Sequence, residues 1–416
     1  MKKLLTGLLA VGLVLALTLP AAAFDSEFGG YWRTRGYIQN GFTGSDTGAQ
    51  NLKQVDTRTR LFYTAVFSED FKFVNQFEYN LTWGDTSTTN AGGIASSTND
   101  RSIFRLKSTY ANFNLGNFNF LIGLQPRVLS RGFLFDNDFA GAAVTYKGNN
   151  FSVPMIWMKA YEGGIGNNKN DNDVDYFVVK PILTFGNITL TPSLTYLYSK
   201  DASQWSATTG NKGIGVYFTG LDADVKFTNG SAAWFTGLYE FGSADLLTGG
   251  SMDVNAYLIA LGGTAKLGAF DIHGRAFYAS GDDRNTTKKY EAFFVPKGQM
   301  YYWAEIMGYG LFDNQASANS PADKISNVQA ANIGVGFKAT DKLSFTADLW
   351  HALLEQSDVK GGRTLGTEID LRGTYALLKN LNLDVVCAYL FTGDATYKGD
   401  GQKNAYEVGT MLSFSF

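Results

Sequence analysis

Over long stretches the chain alternates apolar and polar side chains at every second residue. That is the period of a β-strand whose two faces meet two different environments. Phe71, Phe73, Phe77, Tyr79 and Leu81 share one parity, and Lys72, Gln76, Glu78 and Asn80 share the other. Further on, Ile188, Leu190, Leu194, Tyr196 and Tyr198 oppose Thr189, Thr191, Ser193, Thr195 and Ser199. Polar breaks between such stretches come in two sizes. Eight are tight turns, at Ser68-Glu69-Asp70, Leu115-Gly116-Asn117, Gly148-Asn149-Asn150, Gly186-Asn187, Thr228-Asn229-Gly230, Leu267-Gly268-Ala269, Thr340-Asp341-Lys342 and Leu378-Lys379-Asn380. Nine are longer, roughly 41–54, 83–100, 126–138, 161–173, 200–213, 242–252, 281–327, 354–363 and 393–403. Eight turns and nine loops join 18 strands, or 16 if one weak hairpin is misread.

Short turns at one end and long loops at the other predict an all-β, closed antiparallel transmembrane barrel. In such barrels the turns are periplasmic and the loops, here longest at 281–327, are external. An even strand count puts both termini in the periplasm. The last six residues, Met411 to Phe416, alternate Leu412, Phe414 and Phe416 with Ser413 and Ser415, in a pattern that runs back through Thr410, Val408 and Tyr406. An exposed edge strand of this kind invites aggregation, whereas in a closed barrel it pairs with the first strand. Terminal strands of bacterial outer-membrane proteins look like this one. At the other end, Lys2 and Lys3 precede an apolar run from Leu4 to Leu19 and the small residues Ala21-Ala22-Ala23. These are the three regions of a secretory signal peptide, so residues 1–23 are expected to be removed and 24–416 to form the barrel. The chain has no other long apolar segment, so a membrane crossing must be made with strands.

Composition fits. Phe, Tyr and Trp number 32, 22 and 7, Gly reaches 47 and Pro only 7. Formal net charge is −3, and −5 without Lys2 and Lys3, too mild an imbalance for a nucleic-acid partner. The single Cys387 forbids an intrachain disulfide and a thiolate metal cluster, and its parity makes it a small apolar residue.

Energy sets which parity faces lipid, because an Arg or Lys at the bilayer midplane costs ~2–4 kcal/mol. The polar set therefore faces inward, and at 18 strands the lumen is too wide for side chains alone to fill. On the early strands the inward charges are Arg33, Arg35, Asp56, Arg58, Arg60, Lys72, Glu78, Arg105 and Lys107. From the tenth strand on they are Asp222, Asp224, Lys226, Glu240, Asp271, Arg275, Lys338, Asp348, Glu368, Asp370, Arg372, Asp384 and Glu407. Closure sets a basic arc (Arg33, Arg35, Arg58, Arg60, Arg105, Lys107) against an acidic one (Asp222, Asp224, Asp348, Glu368, Asp370). The resulting transverse field favours anions along the arginines. The alternative is that these charges pair across neighbouring strands and keep the interior hydrated. Like charges on adjacent strands destabilise unless an anion or acid answers them, which singles out Arg33, Arg35, Arg58 and Arg60.

Leu121-Ile122-Gly123-Leu124-Gln125-Pro126-Arg127, with Leu134-Phe135-Asp136-Asn137-Asp138 and Gly141-Ala142 after it, resembles a segment of the alginate-export-like outer-membrane porins. So does Leu365-Gly366-Thr367-Glu368-Ile369-Asp370-Leu371 with Tyr375 and Tyr389-Leu390-Phe391-Thr392-Gly393-Asp394. The resemblance implies an 18-stranded barrel that conducts solutes, often anionic, across the outer membrane of a Gram-negative bacterium. The acidic later strands depart from the basic lumen of a polyuronate exporter, so the alginate substrate is not carried over.

The 281–327 segment holds Tyr290, Phe293, Phe294, Tyr301, Tyr302, Trp303, Tyr309 and Phe312. So many aromatics predict that it packs against the barrel, inward as a constriction or outward as a lid. Tyr301, Tyr302 and Trp303 are one candidate constriction, and Arg127 and Arg131 beside Phe133 and Phe135 are a second. Asp171, Asp173 and Asp175 have calcium-like spacing, but Tyr176 stands where a calcium loop needs Gly and Ile182 where it needs Glu. Two histidines and one Cys give no zinc or covalent haem motif. A lipid-hydrolysing barrel needs a Ser–His pair facing lipid, and His273 has lumen parity, so no enzyme is expected. The expected function is a porin passing ions and small polar or anionic solutes by passive diffusion. Its partners are outer-membrane lipid and those solutes, with no nucleic acid and no cofactor. A homo-oligomer or a periplasmic partner is compatible with the sequence. The alternative is a sheath around a partner protein such as an electron-conduit cytochrome.

Overall fold

The computed structural model describes residues 24–43, 51–85, 91–92, 104–163, 173–200, 211–246, 250–283, 288–357, 361–396 and 403–416. The expected signal segment at 1–23 lies outside them. Eighteen strands follow one another around a single ring. The first six are β1 (Asp25–Asn40), β2 (Asn51–Ser68), β3 (Phe71–Trp83), β4 (Phe104–Leu115), β5 (Phe118–Leu129) and β6 (Phe135–Lys147). Next come β7 (Phe151–Tyr161), β8 (Val174–Val179, resuming as Ile182–Phe185), β9 (Ile188–Ser199), β10 (Asn211–Lys226), β11 (Ala232–Leu246) and β12 (Ser251–Leu267). The ring ends with β13 (Phe270–Ala279), β14 (Val328–Lys338), β15 (Leu343–Leu354), β16 (Thr364–Leu378), β17 (Leu381–Thr392) and β18 (Ala405–Ser415). The eight expected tight turns all join strands at one end, the end that also holds Asp25 and Phe416.

Each strand pairs antiparallel with its neighbours, and β18 closes the ring on β1, from Tyr31 opposite Ser415 to Asn40 opposite Tyr406. Gly30 and Phe416 exchange backbone hydrogen bonds of 2.9 and 3.1 Å. Gly30 is required there, since a Cβ would come within 2.3 Å of the Phe416 ring. Closure leaves no edge to aggregate. Two strands depart from regularity. Lys180 and Pro181 interrupt β8, where Pro181 has no N–H to give the ladder. A bulge on β4 sets Ser108 against Gln76 and Leu106 against Phe77, leaving Lys107 as the extra residue.

The outer face is apolar. Phe73, Leu194, Leu261, Ile333, Leu371 and Val385 point out along the middle of their strands. Aromatic rings gather in two belts. Phe118 with Tyr146 and Phe270 with Phe337 stand near the short turns, while Tyr196 with Tyr217 and Tyr257 with Tyr278 stand near the loops. An apolar band between aromatic girdles is the surface a bilayer selects.

One loop expectation changes, and of the two placements open to the longest loop one is taken. The loop expected at 126–138 shrinks to residues 130–134, because β5 runs through Leu129 and β6 starts at Phe135, which places Arg127 on a strand. Ser130, Arg131 and Gly132 make this tight connection with positive φ of 46°, 59° and 94°. The segment 288–327 folds into the barrel. Its backbone or side chains meet Phe42 after β1, Gly132, Tyr176 on β8, Glu240 on β11, Arg275 on β13 and Glu368 on β16. Only the inside of a ring can be touched on so many sides by one segment.

A hydrophobic core therefore forms within the lumen. Phe293, Ile306, Met307, Phe312 and Ile325 of the segment are fully buried. The first three and Ile325 share a cluster with inward residues of the wall such as Leu258, Phe277 and Trp350, whereas Phe312 packs separately with Tyr37 and Val386. The inward face is thus polar only in part. Toward the loop end of the later strands it is apolar because the segment covers it, and the continuous apolar run Ala256-Tyr257-Leu258-Ile259-Ala260-Leu261 on β12 is the mark of a strand buried on both faces.

Candidate functional site

The basic arc assembles where β1 and β2 pair. The register sets Arg33 opposite Arg58, Arg35 opposite Asp56 and Tyr31 opposite Arg60. Two arginines face to face repel, so acids are needed, and three supply them. Arg35 grips Asp56 in a two-pronged pair, Nε–H to Oδ1 at 2.9 Å and Nη2–H to Oδ2 at 2.8 Å. Arg60 Nε–H donates to Glu78 on β3 at 2.7 Å, and Arg58 lies 3.8 Å from the same carboxylate. The third acid, Asp313, comes from the inward segment. Its Oδ1 accepts from Arg35 and from Arg33 (3.4 Å), and its Oδ2 lies 3.9 Å from Arg58. Four guanidiniums thus share three carboxylates, leaving one positive charge.

Burial tends to raise the Asp313 carboxyl, but Arg35, Arg33 and Arg58 outweigh it and hold the group below the ordinary aspartate range. Phe312 secures this tip of the segment by stacking on Tyr37 at 4.7 Å between centroids. Gly409 makes room for it, since a Cβ there would meet the Phe312 ring at 2.5 Å. Asp313 was not singled out from sequence, for nothing in its neighbourhood marks which of the segment's acids reaches the arginines.

The arc keeps access to solvent. Arg58 and Arg60 retain side-chain exposures of 24% and 29%, while Arg33 and Arg35 lie deeper beneath the segment. Arg105, opposite Glu78, is exposed at the start of β4. Lys107, displaced by the bulge, pairs with Asp138 on β6.

Across the lumen the acids do different work. Glu368 receives the backbone N–H groups of Ile306 (2.6 Å) and Met307 (2.9 Å), and Asp370 receives that of Glu305 at 3.3 Å. Glu240 receives the N–H of Phe294 at 2.7 Å. These carboxylates clasp the inward segment and are covered by it, which answers the polar backbone groups that its burial strips of water. Glu305 caps its own turn by accepting from Leu311 at 2.6 Å, and burial pushes its carboxyl up. Asp222 is buried and accepts from Thr236 at 2.7 Å. Asp224 pairs with Arg131 at 2.8 Å, and Asp348 accepts from Asn332 at 2.5 Å.

The two candidate constrictions divide as well. Arg131 spans from the β5–β6 connection to Asp224 on β10 and lies 4.8 Å over the Trp234 ring. Arg127 faces inward on β5 and donates to Gln125 at 3.2 Å. Tyr301 stacks on Phe133 at 3.8 Å, and Trp303 donates to the Ala322 carbonyl at 2.7 Å, so both belong to the segment's core. Tyr302 alone of the three is exposed, with its hydroxyl pushed up to about 12 by burial and by Asp313 and Asp323.

Other candidates stay modest. His273 sits between Asp271 (3.0 Å) and Asp348 (3.1 Å) on the inward face, and His351 bonds Thr367 on the outer one. Cys387 is exposed on the outer face among apolar residues. Of the calcium-like triplet, Asp171 lies outside the described residues, and Asp173 and Asp175 answer Lys159. Among the described residues no group of side chains could hold a metal ion.

No family model matches the chain, and no curated protein matches it by sequence. Solved structures do. The chain resembles Pseudomonas aeruginosa OccK9 (OpdG), with 12% identity, a TM-score of 0.64 and coverage of 94% of this chain and 98% of that one. OccK2 (OpdF) from the same organism, solved in complex with glucuronate, matches at 13% identity and a TM-score of 0.59 over 94% and 98% of the two chains. OpdK from that species, solved with vanillate, matches at 11% identity and a TM-score of 0.59 over the same shares. At such identities the likeness is one of fold, the closed 18-strand antiparallel barrel of porins.

Proposed function

We propose that the chain is an outer-membrane channel of a Gram-negative bacterium, through which small polar and anionic solutes diffuse along the arginines of β1 and β2. One observation carries this reading. The inward segment covers Glu240, Glu368, Asp370 and the apolar wall but leaves Arg58 and Arg60 accessible, so the passage that remains runs past fixed positive charge, with Asp224 and Asp348 the acids of the far wall still open to it. Solutes crossing there exchange hydration for guanidinium contacts, which favours anions. Arg58, Arg60 and Arg105 line this path, Arg33 and Arg35 back them from beneath the segment, and Lys107 stands beside it paired with Asp138. Tyr302 and Arg131 narrow it from the segment and from the β5–β6 connection. On this reading the short turns and both termini face the periplasm, the loops face outward, and residues 1–23 are a signal peptide.

The solved neighbours carry glucuronate in one case and vanillate in another, both carboxylates, which agrees with an anionic solute here. The two stretches that resemble the alginate-export-like porins support kinship at the level of channel function. A sheath around a partner protein needs a vacant lumen, and the inward segment occupies the room such a partner would take. Recording from the purified protein in planar bilayers tests the proposal. Discrete conductance steps without an energy source are expected, and no steps together with no solute leakage from liposomes would return the sheath reading to first place.

A further inference from the structure

We propose that Asp313 is a tethered carboxylate that occupies the solute-carboxylate site of the channel, between Arg33, Arg35 and Arg58, and that a carboxylate solute binds by displacing it. This rests on the reading of the barrel as a channel for small anions, and it adds the site and the competitor.

The wall's own acids are already committed. Asp56 gives both oxygens to Arg35, and Glu78 is held by Arg60 and by Asn80 (2.8 Å). Arg33 has no wall carboxylate, and the acid that reaches it is Asp313, at 3.4 Å. The Arg33 Nε is buried without a hydrogen-bond partner among the described residues. Asp313 divides its two oxygens among three guanidiniums of two strands, the donor set a free carboxylate would use.

Asp313 is also delivered in a way that permits exchange. It belongs to the segment and not to the wall, and its backbone is in the left-handed region, with φ of 36°, where a residue other than Gly is held by its surroundings. Phe312 and the Leu311 N–H bonded to Glu305 supply that hold. Its contacts to Arg33 and Arg58 are long and the one to Arg35 is short, and its side chain keeps 18% exposure beside the partly open Arg58, so a solute approaches from the Arg58 side and reaches Arg33 and Arg35 only as Asp313 leaves. Removing the carboxylate leaves Arg33 uncompensated and the donor set vacant, while Arg35 and Arg60 stay paired.

The test uses the full-length protein refolded in detergent, with benzoate as the probe. Asp313→Asn keeps the side chain's size and removes its charge. If Asp313 holds the site about nine-tenths of the time, its removal tightens benzoate binding by about tenfold, because apparent affinity scales with the competent fraction. Adding Arg33→Gln and Arg58→Gln should abolish the gain, and neutral benzamide should show none. If Asp313→Asn binds benzoate no more tightly than wild type, Asp313 is a structural counter-ion and the proposal falls. A second measurement does not depend on how well that variant folds. With a spin label at Asn314→Cys in a Cys387→Ser background, saturating benzoate should mobilise the label, and an unmoved label would equally overturn the proposal. Bilayer recording separates the two readings. Binding with this pattern but no conductance in any variant removes the channel and keeps the site. Conductance without the pattern does the reverse.

Discussion

At the scale of single residues, the lumen shows how charge is spent. Arg35 makes a two-pronged pair with a wall acid, and Asp313 bridges three arginines from the segment. Because Asp313 is held below the ordinary value of 3.8, its contribution is full above that pH and is lost as pH falls through its depressed value. Protease sensitivity of the segment in the folded barrel should accordingly be flat near neutral pH and rise only below about pH 4. In Asp313→Asn this acid-induced rise should be absent. Glu368 gives a second residue-scale expectation. Replacing it by Leu leaves the N–H groups of Ile306 and Met307 buried without acceptors, at roughly 1–3 kcal/mol. Limited proteolysis should then cut within 281–327 while the barrel stays intact, and an uncut segment would show that the clasp is dispensable. The identity of the inward arginines was legible in the sequence because parity is a local property. Two of their acid partners, Asp56 and Glu78, were legible for the same reason, but Asp313 was not, because it is 280 residues from Arg33 and the pair exists only after the chain folds back.

At the scale of elements, the strands and turns were readable for the same reason. Alternation marks a strand wherever its two faces meet different surroundings, and Gly-Asn and Lys-Asn pairs mark four of the eight tight turns. The reading fails where both faces are apolar. On β12, Ala256, Leu258 and Ala260 point inward and Tyr257, Ile259 and Leu261 outward, so no polar parity warns that something covers the lumen side. The aromatic load of 281–327 predicted packing but left open which side of the barrel it chose. The doubly apolar strands held that information. Deleting residues 288–312 should raise conductance and relax size exclusion. It should also lower the temperature at which heat-modifiable migration on gels is lost, because Leu258, Phe277 and Trp350 lose their cover, at about 1.5–3 kcal/mol for each large side chain exposed. Unchanged conductance would mean that the segment lies outside the conducting path.

At the scale of the whole molecule, the barrel separates two tasks around one ring. The wall from β11 to β18 holds the inward segment through Glu240, Glu368 and Asp370, and the wall from β1 to β4 carries the arginines, which hold the segment's tip and, in the function proposed above, meet the solute. The transverse field read from sequence is therefore uneven, since three of the acids are buried under the segment while Arg58 and Arg60 stay accessible. Stability and selectivity are also less independent than sequence alone indicates. Losing Arg33, Arg58 and Arg60 leaves Glu78 to Asn80 alone and Asp313 to Arg35 alone, and because Arg58 and Arg60 are partly exposed the cost falls below the about 3–5 kcal/mol of a fully buried pair. The most direct measurement is the zero-current potential across a planar bilayer in a gradient of low salt, where screening is weakest. It compares the wild-type protein with a variant carrying Arg33→Gln, Arg58→Gln and Arg60→Gln. Anion preference is expected for the wild type and a clear shift toward cations in the variant, with channels still forming. A variant that forms channels and keeps the wild-type potential would show that these arginines only pair with their neighbours and do not select the solute.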